Sequence, residues 1–168
     1  NGWRSGLEPL TVKPSARCGH SGIGWNGKMI IFAGSSTRYS DGVKNDLHIL
    51  ELSSFTWTTP ATSGTVPEKR YRHTAIKNND KMVVFGGYGS TYLNDVYELD
   101  LPTWVWSKPS ISGTSPTARY THVAVYHNNK MYIFGGYGDD GGLSDMHALD
   151  LMSWKWNEVI IASNPSLE

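Results

Sequence analysis

Histidine is the side chain best suited to binding a metal or moving a proton near neutral pH, and this chain carries six, at positions 20, 48, 73, 122, 127 and 147. Three of them recur in register: His20, His73 and His122 each stand twelve residues before a phenylalanine, Phe32, Phe85 or Phe134. Three imidazoles pointed at one axis could hold a metal ion. A hydrogen bond from each ring to a neighbouring repeat explains all three separately, and that structural role is the expectation; no metal is expected. Arg17, Arg70 and Arg119 precede these histidines by three residues. A guanidinium has five donors and can tie one unit to the next or reach the surface. His48 and His147 take the place of Tyr97 in its copy, which suggests packing. No Ser/His/Asp triad and no catalytic carboxylate pair stands out. Asp139-Asp140 lie in a Gly-rich loop and read as solvated rather than catalytic.

The elements that position these residues repeat about every fifty residues, which indicates stacked or radial units rather than a single-copy fold. Phe85-Gly86-Gly87 and Phe134-Gly135-Gly136 match Phe32-Ala33-Gly34, and Asp46, Asp95 and Asp145 are each followed eleven residues later by Trp57, Trp106 and Trp156. In the middle copy, 73–76 reads as a short strand and Asn78-Asn79-Asp80 as a turn. Lys81 to Phe85 is an apolar, β-branched run, the pattern of a strand covered on both faces. Asp95 to Leu101 alternates as a half-buried strand, and Trp104-Val105-Trp106 reads as an outer strand. Each copy therefore predicts four short antiparallel strands, with no helical period anywhere. The Gly pairs, with Gly34, Gly86, Gly87, Gly135 and Gly136, are expected where a Cβ would clash near a crowded axis. A phosphate-binding loop would need a following helix and a Lys, and neither is visible. Trp57, Trp106 and Trp156 are expected in the core between sheets.

Composition narrows the function. Net charge is zero, and seven Trp and nine Tyr suit packed sheets. Neither nucleic acid nor a membrane is favoured as a partner. Cys18 is the only cysteine, so no internal disulfide forms, and a reducing, cytoplasmic setting is expected.

Four antiparallel strands at this period describe a β-propeller. With the Gly doublet, the acid-apolar-Tyr/His strands (Asp46-Leu47-His48, Asp95-Val96-Tyr97, Asp145-Met146-His147) and the following Trp, the chain resembles the Kelch-repeat proteins from Pro14 to Trp156. The expected fold is all-β: three four-stranded Kelch-type blades, a partial propeller, with repeats at 14–61, 62–110 and 111–161. Residues 1–13 read as a leader holding the outer strand of a preceding blade around Trp3, and 162–168 as a tail in which Pro165 matches the start of another repeat. Both ends thus read as cut from a longer Kelch protein. An open three-blade arc exposes apolar faces, so a homodimer closing a six-bladed ring is expected.

The resemblance implies a non-enzymatic protein-interaction platform, an adaptor or the substrate-recruiting part of a larger protein. Metal-dependent oxidase-like or specifier-like Kelch enzymes are the alternative, and a self-assembling propeller unit is a third. Recognition is expected where the copies differ, on the face carrying the b–c and d–a loops of strands a to d. The candidates are Arg38, Tyr39, Arg70, Tyr71, Arg72, Tyr88, Tyr92, Arg119, Tyr120 and Tyr137, because Tyr and Arg dominate interface energies. The arginines suggest a protein or peptide partner of acidic or mixed charge. No cofactor is expected.

Overall fold

A computed structural model describes residues 13–37 and 42–160 of the chain. It contains three sheets, each built on four antiparallel strands, and, among these residues, no α-helix. The first blade is β1 (Ser21–Trp25), β2 (Lys28–Ser35), β3 (Val43–Glu51) and β4 (Thr56–Thr58), paired in that order. A short strand, β5 (Ser63–Gly64), precedes the second blade, made of β6 (Thr74–Asn78), β7 (Lys81–Tyr88), β8 (Tyr92–Asp100) and β9 (Val105–Ser107). The third blade repeats this plan with β10 (Ser112–Gly113), β11 (Val123–His127), β12 (Lys130–Gly138), β13 (Gly141–Asp150) and β14 (Lys155–Glu158). Asn26, Asn79, Asn128 and Asn129 take positive φ in the first hairpin turns, as the turn chemistry of Asn predicts.

Two details depart from the sequence reading. The outer strands start one residue later than expected, because Phe55, Trp104 and Trp154 take positive φ in the preceding turn. Blades 2 and 3 also gain a fifth strand. β5 pairs in parallel with β9, and β10 with β14, so the link leaving one blade lines the outer edge of the next before turning inward. The contact is close: a Cβ on Gly64 or Gly113 would sit 2.1 Å from the carbonyl oxygen of Trp106 or Trp156.

The core lies between blades, not within them. A sheet of this size has two apolar faces and must cover each with another layer. Ile23, Ile30, Phe32 and Leu47 of blade 1 pack on Met82, Val84, Leu99 and Trp106 of blade 2. Ile76, Val83, Phe85 and Val96 of blade 2 meet Met131, Leu149, Leu151 and Trp156 of blade 3 in the same way. At each joint a phenylalanine is held between a histidine and a tryptophan of the next blade. Phe32 lies 5.5 Å from His73 and 4.8 Å from Trp106, and Phe85 lies 5.1 Å from His122 and 5.2 Å from Trp156. Trp106 and Trp156 are fully buried, as expected. Trp57, in the equivalent place on blade 1, is only half-buried, since no blade among the described residues packs on that face.

The histidines lock the same joints. His73 Nε2 and Ser21 Oγ lie 2.8 Å apart, and His122 Nε2 and Thr74 Oγ1 lie 2.7 Å apart, each pair spanning two blades. This is the blade-to-blade hydrogen bond expected from the repeat. His20 sits at the matching position of blade 1 and is exposed.

The arginines correct the sequence reading. Arg70 and Arg119, expected on the binding face, are fully buried. The Arg70 guanidinium donates to both carboxylate oxygens of Asp95 at 2.6 and 3.0 Å and to the Gly86 carbonyl at 3.0 Å. Arg119 does the same with Asp145 and Gly135, and Arg17 with Asp46 and Ala33. The planar fork of Arg fits this two-oxygen grip, which Lys cannot reproduce. Each Arg therefore ties the incoming d–a link to the Gly bulge and to the start of the third strand.

That bulge explains the glycines. Pairing of the second and third strands slips between Phe85 and Gly87, and likewise in the other blades. The doubled residue is left over on the bulged strand, which kinks there. Gly87 takes φ +100°, and a Cβ there would lie 2.7 Å from His73 Cβ and 3.0 Å from the Tyr71 carbonyl. In blade 1, Ala33 accepts φ +58° at the first bulge position.

Two predictions follow from these joints. Gly141 has a similar φ, +110°, but open space around its absent side chain. Gly141→Ala adds only backbone strain, about 1–3 kcal/mol, whereas Gly87→Ala adds a clash and should lose at least about 2 kcal/mol more by urea unfolding. Equal losses would show that strain alone sets the requirement. The second concerns acid. Burial, then the neighbouring Arg70 charge, pushes His73 down to about 3; burial, then Arg119, pushes His122 down to about 4. Both lie below the usual 6.5, so these neutral rings stabilise the fold at and above that pH. Their contribution drains away as pH falls from 6.5 toward 3–4, because the unfolded chain then binds protons that the folded one refuses. Asp145, held near 2 by the Arg119 hydrogen bond against some burial, loses its contribution later, from 3.8 downward. In His73→Gln/His122→Gln, stability should fall less steeply between about pH 6 and 4.5, by up to about 1.4 kcal/mol per pH unit for each histidine replaced. An unchanged slope would exclude these two rings as the source.

Candidate functional site

The residues left for recognition are those the joints do not consume. Tyr71 and Tyr120 lie on the links entering blades 2 and 3, just before the histidines. Tyr88 and Tyr137 lie just after the Gly pairs. Backbone bridges set them side by side: Tyr71 N donates to Tyr88 O at 2.9 Å and Tyr88 N to Tyr71 O at 2.9 Å, and Tyr120 and Tyr137 exchange the same two bonds at 3.1 and 2.9 Å. Blade 1 makes the same bridge with Cys18 and Ser35. The scaffold is thus common to all three blades, while the aromatic pairs belong to blades 2 and 3.

The rings form one continuous cluster across the joint. Tyr71 meets Tyr88 edge-on at 5.8 Å, and Tyr88 meets Tyr92 at 5.2 Å. Tyr92 stacks on Tyr120 at 5.4 Å with planes 29° apart, and Tyr120 meets Tyr137 at 5.9 Å. Exposed Arg72 joins them, its guanidinium 5.6 Å from the Tyr71 ring centre and 5.5 Å from that of Tyr120. Its backbone takes φ +54°, with Arg72 N donating to the Gly19 carbonyl of blade 1, so strain and a blade-to-blade bond together aim this side chain. Such left-handed non-Gly residues are uncommon and mark constrained positions.

Beside the cluster lies an open concavity of about 430 Å³ lined by Tyr88, Ser90, Thr91, Tyr92 and Asp139. The Gly-rich loop carrying Asp139 is short: Gly138 pairs with Gly141, leaving Asp139-Asp140 as a tight, exposed hairpin turn. Desolvation, then the nearby Tyr120 phenol and Asp139 carboxylate, raises Tyr92 above the usual phenol value.

Of the ten candidate binding residues, the structure brings together Tyr71, Arg72, Tyr88, Tyr92, Tyr120 and Tyr137. It assigns Arg70 and Arg119 to the interior, and Arg38 and Tyr39 lie outside the described residues. Ser90, Thr91 and Asp139 also line the concavity and were not among the expected binding residues; for Ser90 and Thr91 the place between Tyr88 and Tyr92 was the available signal, while Asp139 comes from the equivalent turn of blade 3. No group of three His, Cys, Asp or Glu among the described residues is arranged to hold a metal ion. His73 and His122 are committed to the joints, and His48 and His147 contact Asp46 and Asp145 at 2.8 and 2.9 Å.

Comparison with known proteins agrees with this architecture. A family model described as the KLHDC2/KLHL20/DRC7 Kelch-repeats domain matches residues 19–167. The chain is 39% identical over 84 residues, half of its length, to the Rho GTPase-activating protein gacHH of Dictyostelium discoideum. It is 37% identical over 79 residues (47% of the chain) to human Kelch domain-containing protein 3, and 38% identical over 88 residues (48% of the chain) to human host cell factor 2. These matches span only 5%, 20% and 11% of the respective relatives. With three bulged, Gly-containing blades joined by Phe–His–Trp stacks, and a family match across most of its length, the chain belongs to the Kelch-repeat family.

Proposed function

We propose that the chain is a non-enzymatic protein-interaction module that binds a partner segment across the face formed by its b–c and d–a loops. The carrying observation is the continuous run of tyrosine rings and Arg72 spanning blades 2 and 3. Tyr offers a large amphipathic surface with few rotors, and Arg adds directed donors, so such clusters concentrate binding energy. The ring positions are fixed by backbone bridges before any partner arrives, which lowers the ordering cost of binding. That similar stretches form small parts of long, otherwise different relatives supports a portable module. Within a larger protein it would serve as an adaptor or recruiting surface.

A metal-dependent enzyme finds less support, because His73 and His122 already have partners in the joints. The partner's charge also needs revision. Arg70 is neutralised inside by Asp95, so an acidic partner rests on Arg72 and Lys69, against Glu68, Asp139 and Asp140 on the same face. A partner of mixed charge fits better.

A second surface supports self-association. The face of blade 3 equivalent to the covered faces of blades 1 and 2 exposes Val123 and Val125 at 60% each and Phe134 at 44%. The complementary face of blade 1 carries half-buried Trp57 and exposed Leu52. Two copies joined this way would close a six-bladed ring. Val123 stands where Ser21 and Thr74 meet the histidine of the next blade, so His20 of the second copy would find no hydroxyl there. An unpartnered buried imidazole costs roughly 1–3 kcal/mol, so this joint is weaker than the internal ones.

Affinity capture tests the first reading. Tyr88→Ala/Tyr120→Ala should lose partners held by the unaltered chain, with binding weakened at least about tenfold if either ring is a hot spot. Recovery of the same partners by both proteins would place the binding surface elsewhere. For the second surface, light scattering should show mass rising with concentration, and Val125→Lys/Phe134→Lys should remove the rise. A parent chain that stays monomeric across the range would refute it.

A further inference from the structure

We propose that the concavity between Tyr88, Tyr92 and Asp139 takes a cationic side chain, an arginine or lysine, from the partner segment. This rests on the tyrosine face being the binding surface and names the chemistry it selects.

Four observations carry it. First, the shape is a corner: Tyr88 and Tyr92 stand at 80° with ring centres 5.2 Å apart, forming two aromatic walls. Aromatic faces are negative and attract cations within about 6 Å, most strongly when several walls surround the charge. Second, the other lining groups are Ser90, Thr91 and the carboxylate of Asp139, with no cation among them. A second carboxylate stands close by, since Ser90 Oγ lies 3.5 Å from Glu68 Oε2. Third, neighbouring rings already accept a cation: Arg72 lies over Tyr120, which stacks on Tyr92. Fourth, the concavity of about 430 Å³ suits a side-chain head and stem and is far larger than a single water needs.

The nearby positive groups do not fill the role. Arg72 is held over Tyr71 and Tyr120, and Lys69 borders the adjoining hollow with Val43, Glu68, Gly89 and Ser90 rather than the corner itself. Desolvation, then the Tyr120 phenol and the Asp139 carboxylate, raises the Tyr92 phenol, so Asp139 acts electrostatically on the ring that forms one wall of the corner.

The test uses the full chain and two blocked pentapeptides, acetyl-Gly-Ser-Arg-Ser-Gly-amide and its counterpart with Gln in place of Arg. NMR of ring-labelled tyrosines reads the binding. The Arg peptide should give saturable shifts at Tyr88 and Tyr92, and the Gln peptide should give none at equal concentration. Asp139→Asn, in an exposed turn, should weaken the Arg peptide about two- to fivefold, the range of an exposed ion pair. Tyr92→Ala should weaken it at least about fivefold. A matching thermal transition checks that each variant is folded. Equal shifts from both peptides, no saturable shift at Tyr88 and Tyr92, or an Asp139→Asn variant that binds as tightly as the parent would each overturn the proposal. If capture of partners still depends on Tyr88 and Tyr120 in that event, the face stands as a binding surface and only its preference for a cation fails.

Discussion

A blade of this chain cannot cover its own two faces, and that constraint organises everything else. The solution is the stack in which Phe32 sits between His73 and Trp106, and Phe85 between His122 and Trp156. The stack sets the spacing of neighbouring sheets, and the histidine contact with Ser21 or Thr74 fixes their lateral register. Once the joint is set, the links between blades have one available path, and the Tyr-bearing ends of those links converge on one face. The candidate site is thus a by-product of how the core is made.

The Arg–Asp grips have a different part. A buried ion pair is weak evidence for stability, because desolvation offsets much of its attraction. Its geometric value here is plain. Each guanidinium also binds the carbonyl of a bulge residue, and the bulge holds the strand ends from which Tyr88 and Tyr137 project. The same pairs hold Asp46 and Asp145 near 2; at Asp46 the largest single influence is burial, which opposes the shift, and the hydrogen bonds and electrostatic attraction of Arg17 and His48 together outweigh it.

Much of this was legible in the sequence because the repeat states each structural residue three times. His73 and His122 at the joints, the close approaches at the Gly pairs, and Trp106 and Trp156 in the core follow that repeat, whereas His20, in the same register, is exposed. The same logic should have placed the arginines: Arg17, Arg70 and Arg119 recur together with Asp46, Asp95 and Asp145, and a cation repeated alongside an anion is a pair, not a binding surface. Their positions on the entering links hid this, since link residues usually face water. The fifth strands were missed because two residues are too short for a periodicity to show, although Ser63-Gly64-Thr65 and Ser112-Gly113-Thr114 are the same words. The tyrosine cluster was visible as residue types. Its stacking was not, because Tyr92 and Tyr120 come from different blades and sequence spacing carries no information about that angle.

The two-residue parallel strands have a consequence for solubility. The outermost strand of any open sheet offers a row of unsatisfied amides on which foreign chains can grow. By laying Ser63-Gly64 along β9, and Ser112-Gly113 along β14, the chain caps the rims of blades 2 and 3 with its own backbone. Each covered rim is sealed by the link that arrives from the preceding blade, so protection against cross-β growth depends on how neighbours are connected rather than residing in any one four-stranded module.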